Sequence, residues 1–70
     1  MTNTGAGVII NGQAQPAGGC ILADWLLANN YNPLRIAVEK NGEILPKAQY
    51  QTTILQAGDV LEIVSFVGGG

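Results

Sequence analysis

Seventy residues allow one domain, and a domain near this size buries only about 60% of the surface its unfolded chain exposes, so the core must be small. Hydrophobic residues make up 47% of the chain and charged ones 11%, which excludes the low-hydrophobicity, high-charge regime of disorder despite ten glycines. The formal net charge is −2 with Arg35, Lys40 and Lys47 as the cations, so there is no basic cluster to neutralise phosphates along a duplex, and nucleic acid is excluded as a partner.

Residues Met1 to Gly7 are small and polar with little to bury, and read as a disordered leader, residues 1–7. They lack the basic and apolar regions of a signal peptide, and no stretch approaches the roughly 20 apolar residues of a membrane helix, so a cytoplasmic protein without a membrane partner is expected. The domain is expected over residues 8–67. Val8-Ile9-Ile10 is a β-branched run, and Asn11-Gly12 suits a type I′ turn into Gln13-Ala14-Gln15. Pro16-Ala17-Gly18-Gly19 breaks the ladder and leads to a helix from Cys20 to about Asn30, with Ile21, Leu22, Trp25 and Leu26 on one apolar stripe and Leu27 off it. Cys20 is a poor capping residue, so the helix start is weakly specified. Asn29-Asn30 tolerates the left-handed conformation that ends helices.

Arg35 to Glu39 alternates with the strand period, Ile36 and Val38 on one face, and Asn41-Gly42 signals a turn back through Glu43-Ile44-Leu45 to Pro46. Lys47 to Thr53 is a polar connection that Tyr50 would pin to the body. Gln56-Ala57-Gly58-Asp59 is a turn, and Val60 to Val67 is the longest strand, with Leu61 and Ile63 facing the helix and Val64 and Phe66 facing outward beside Gly68-Gly69-Gly70. The resulting order is ββαβββ, an α+β fold with one helix packed on a mixed sheet of four to five strands.

Few residue types here support catalysis. Cys20 is alone, so no intramolecular disulfide forms, and with no histidine and no CxxC pair neither a zinc site nor an activated thiol is expected. Glu39, Glu43 and Glu62 show no paired-carboxylate pattern and read as solvated charges, with docking to a basic enzyme surface as a lesser possibility. Trp25 belongs to the core. The chemistry instead falls on residues 68–70. Glycines without Cβ let a foreign backbone or nucleotide approach closely, and three residues at about 3.3 to 3.6 Å each reach roughly 10 Å. The expected reactive group is the Gly70 carboxylate, ionised at neutral pH with a pKa of roughly 3.3 to 3.7 and therefore inert until activated, most simply as an acyl-adenylate. In that reading Gly68 and Gly69 thread into a partner and Val64 with Phe66 forms the docking patch. The bland alternative for residues 68–70 is an ordinary loose end.

The order of elements ending in Gly-Gly resembles the β-grasp fold of ubiquitin-like proteins. More narrowly, Val38 to Pro46, Leu55 to Val64 and Phe66 to Gly70 together resemble the ThiS family of sulfur carriers. The resemblance implies that a ThiF-type E1-like enzyme adenylates Gly70 with ATP and Mg. Sulfur from a cysteine desulfurase or another source then replaces AMP to leave a covalent thiocarboxylate, and a ThiG-type thiazole synthase takes that sulfur into the thiazole of thiamine. The chain itself would bind no permanent cofactor and would be a protein substrate, not an enzyme. A MoaD-like carrier for molybdopterin synthesis and a ubiquitin-like protein modifier are the alternatives, with a bare interaction module third. The stretch before Val8 is longer than the family pattern, and Cys20 stands where a Thr often opens the helix.

Overall fold

The computed structural model describes residues 7–66. Two β-branched runs and the final strand generate most of it. β1 (Val8–Ile10) pairs antiparallel with β2 (Gln13–Gln15), and β3 (Ile36–Lys40) pairs antiparallel with β4 (Glu43–Leu45). Both turns take positive φ at both central residues, 52° and 82° at Asn11-Gly12 and 53° and 86° at Asn41-Gly42, as a two-residue I′ connection demands. β5 (Val60–Ser65) lies between the hairpins, parallel to β1 and antiparallel to β3, giving the sheet order β2-β1-β5-β3-β4. The order ββαβββ and the mixed sheet are those expected of a β-grasp fold.

The core lies on one face of this sheet. Val8, Ile10, Ile36, Val38, Leu61 and Ile63 bury their side chains against Leu22 and Leu26 of α1 (Leu22–Ala28), with Leu55 and Tyr50 closing the cluster. Trp25 and Tyr31 pack against it half-buried, their rings stacked at 5.9 Å.

The helix departs from expectation at its start. It begins at Leu22 rather than Cys20, and Ile21 is an extended N-cap residue (φ −76°, ψ 134°) that bridges Ile54 and is 37% exposed, so Ile21 does not join the apolar stripe. No side chain caps this end. The Leu22 and Ala23 N–H groups instead donate to the Thr53 and Tyr50 carbonyls at 2.8 and 2.9 Å. A neighbouring segment thus satisfies the orphan donors that a Ser or Asp would otherwise take. The C-terminus follows the sequence: Asn30 is left-handed (φ 67°), and the N–H groups of Asn30 and Tyr31 donate to the Leu27 and Leu26 carbonyls in a Schellman arrangement.

Tyr50 does pin the Lys47 to Thr53 connection, which contains a 3₁₀ turn at Lys47–Gln49. Burial pushes the Tyr50 phenol above its ordinary value of 10.0, a hydrogen bond with the Val38 backbone opposing the shift. The folded chain holds the phenol proton more tightly than the unfolded chain does. Its contribution to stability is therefore complete below the unfolded value and is lost as pH rises through the folded one. Urea midpoints measured from about pH 8 to about pH 11 are expected to fall at the top of that range, and Tyr50→Phe to fall less. An identical decline in both proteins assigns the effect to other groups.

The last strand closes at Ser65 rather than Val67, which lies outside the described residues together with residues 1–6 and 68–70. Gly7, the first described residue, accepts at its carbonyl from the Gly58 N–H at 3.0 Å. Among the described residues no helix is long and apolar enough to cross a membrane.

Candidate functional site

The residues that lead toward Gly68, Gly69 and Gly70 are set by β5. Alternation along a strand sends successive side chains to opposite faces, and here it puts Leu61 and Ile63 inside and Glu62 and Val64 outside. Two hydrogen bonds from turn asparagines brace the same strand: the Asn11 side-chain carbonyl accepts from Ile63 N–H at 2.8 Å and that of Asn41 accepts from Val60 N–H at 2.9 Å. The Asn41 amide also donates to Asp59 at 3.1 Å. The spacing of Asn11 and Asn41 from β5, up to 52 residues in sequence, hides this role from any local pattern. Both residues serve as turn formers and as braces.

On the outer face, Val64 is 58% exposed and sits opposite Ala37, with Ile44 of β4, 68% exposed, on the next strand but one. Ala37, Val38, Glu39, Ile44, Glu62 and Val64 line a depression of about 50 Å³. That volume is far below the roughly 300 Å³ at which small-molecule sites begin, so this depression is too small to enclose a small molecule. Glu39 and Glu62 are register partners across β3 and β5. Like charges directly opposite are unfavourable in an isolated sheet, and they give the apolar floor an acidic wall that a cation on a docking protein would complement. No local pattern pairs these glutamates, because their register depends on how the hairpins meet β5.

Phe66 is also exposed, at 55%, but its surroundings differ from those of Val64. Its N–H donates to the Arg35 carbonyl at 2.8 Å, and the Lys47 ammonium stands 5.9 Å from its ring centre. The two residues of the expected patch therefore look out beside different neighbours, Val64 over the sheet and Phe66 at its rim. Gly68, Gly69 and Gly70, the expected reacting and threading residues, lie outside the described residues.

Cys20 is half-buried, and its backbone serves the fold: its N–H donates to the Ala17 carbonyl and its carbonyl accepts from Leu55 N–H at 2.8 Å. Among the described residues no group of three His, Cys, Asp or Glu could hold a metal ion. Among the described residues, the geometry offers an exposed sheet face and a strand braced at Val60 and Ile63 by two turn asparagines.

The ThiS family model matches residues 8–70. The chain belongs to the ThiS family. The ThiS protein of Bacillus subtilis, named a sulfur carrier protein, is 44% identical over 50 residues, 71% of this chain and 70% of that one. A thiazole synthase of Paramagnetospirillum magneticum is 38% identical over 64 residues, 90% of this chain but 20% of that protein. The chain spans about a fifth of the length of the thiazole synthases it matches. Among solved structures, the thiamine biosynthesis protein ThiS of Geobacter metallireducens superposes with a TM-score of 0.71 at 28% identity, covering 91% of this chain and 99% of that one. The β-grasp architecture of the ThiS family is thus the architecture of this chain.

Proposed function

We propose that this ThiS-family chain carries sulfur for thiamine biosynthesis on the carboxylate of Gly70. A ThiF-type E1-like enzyme joins that carboxylate to AMP from ATP and Mg, releasing pyrophosphate. Sulfide displaces AMP to leave the thiocarboxylate directly, whereas persulfide sulfur from a cysteine desulfurase displaces AMP to leave an acyl disulfide, which a thiol reductant cleaves with two electrons to the thiocarboxylate. A ThiG-type thiazole synthase then takes the sulfur into the thiazole ring. The chain acts as substrate and carrier.

The observation that carries this reading is the family match running through residues 68–70 together with the sulfur-carrier relative. The likeness to part of a thiazole synthase supports the pairing of carrier and ring-forming enzyme. The physical logic agrees. Immobilising each glycine in a partner costs on the order of 1 to 2 kcal/mol, which the exposed face around Val64 offsets by docking the body. A tethered thiocarboxylate stays at high local concentration and out of free solution.

Incubation with a ThiF-type enzyme, ATP and a sulfur source is expected to replace one oxygen of Gly70 by sulfur, read by intact mass and localised by fragmentation. An unchanged mass with a partner shown to be active overturns the proposal.

A further inference from the structure

Lys47 follows Pro46 at the start of the 3₁₀ turn, far in sequence from the end of β5, yet it stands where that strand ends. Its ammonium donates to the Pro33 carbonyl at 3.0 Å and to the Ile36 carbonyl. Pro33 opens the 3₁₀ turn Pro33–Arg35 and Ile36 opens β3, so one ammonium ties the start of the turn to the start of the strand. The same charge lies 5.8 Å from the Tyr50 ring centre and 5.9 Å from that of Phe66. Arg35, between the two carbonyls held by Lys47, accepts the Phe66 N–H.

These contacts converge on one residue. Phe66 is more than half exposed, so apolar burial does little to fix it. What holds its main chain is the hydrogen bond to Arg35, whose carbonyl keeps its orientation because Lys47 ties both ends of the 33–36 segment, and the cation facing the Phe66 ring adds to this hold. An ammonium has three donors, and among the described residues this one donates to two carbonyls and stands over two aromatic rings.

We propose that Lys47 is a positioning residue for the carrier reaction: it sets the direction of the main chain at Phe66, and thereby the register in which Gly70 meets the nucleotide of the adenylating partner. The inference rests on the carrier function proposed above. Lys47 touches no reacting atom, and its effect passes through Arg35 and Phe66. Geometry of this kind acts on the chemical step, because a body that still docks can present its carboxylate slightly out of line, and a misplacement of about 1 Å can cost on the order of a hundredfold.

The test uses Lys47→Met, which keeps the stem and removes the charge, beside Lys47→Arg, which keeps a cation with N–H donors. Pyrophosphate exchange by a ThiF-type enzyme is expected to show kcat reduced on the order of tenfold for Lys47→Met with KM unchanged, and kcat largely restored in Lys47→Arg. Amide exchange of Phe66 should lose protection in Lys47→Met while core amides such as Leu61 keep theirs, a result that a general loss of stability does not give. An undiminished kcat in Lys47→Met, or Phe66 protection equal to that of the unmodified chain, overturns the role of Lys47 and leaves the carrier reading standing. Absence of exchange with the unmodified chain, using a partner active on its own carrier, overturns the carrier reading and this proposal with it.

Discussion

Deletion of Gly70 is expected to abolish thiocarboxylate formation while leaving the fold unchanged. Removing one residue withdraws the terminal carboxylate by about 3.3 to 3.6 Å. Since a misplacement of about 1 Å can cost on the order of a hundredfold, the shortened chain should give no detectable mass gain. Its thermal midpoint should match that of the intact chain, because the buried cluster is drawn from residues between Val8 and Ile63. The shortened chain retains Val64 and its neighbours Ala37 and Ile44, so it should compete with the intact chain for the adenylating enzyme, with an inhibition constant near the KM of the intact chain. Normal sulfur loading of the shortened chain would place the reactive group elsewhere, and failure to compete would show that docking depends on the glycines.

Leu61→Ala should be the most disruptive single change to the fold. Leu61 is fully buried, opposite Ile10 on one side and Lys40 on the other, in the strand that joins both hairpins. Truncating a buried leucine costs about 2 to 5 kcal/mol, against a total of about 5 to 15 kcal/mol for ordinary domains and the lower part of that range for one this small. For a domain of this length each kcal/mol moves the thermal midpoint by about 4 to 8 °C. Leu61→Ala should therefore lower the midpoint by more than about 10 °C or leave the chain unfolded. Val64→Ala, three residues along the same strand on the exposed face, should stay within about 0.5 kcal/mol of the parent. Equal losses at the two positions in calorimetry or urea unfolding would contradict the placement of the core.

How these two residues could be told apart in advance shows what local pattern carries. Leu61 and Val64 differ in parity along one strand, and parity survives any packing in which one face is covered. The asparagine–glycine turns were equally legible, because few residues accept positive φ at both central positions. The helix start was not. Its N–H groups are satisfied by the Thr53 and Tyr50 carbonyls, partners about 30 residues away, and this moved the first helical residue to Leu22 and left Ile21 extended. A propensity argument that looks for a capping side chain has no access to a cap supplied by another segment's backbone.

The amino-acid sequence alone determined the order of elements, the inward and outward faces of β5, the lack of histidine and paired cysteine chemistry, and, through motifs in Val38 to Pro46, Leu55 to Val64 and Phe66 to Gly70, the ThiS family. Those features are local: each depends on side-chain chemistry and spacing within one turn or strand. Tertiary structure decided which residues meet. It set Glu39 opposite Glu62, gave Asn11 and Asn41 a second task on β5, and drew Lys47 to the 33–36 turn beside Phe66. The physical reason is that these partnerships join groups many residues apart, and their distances exist only after the two hairpins have closed around the central strand.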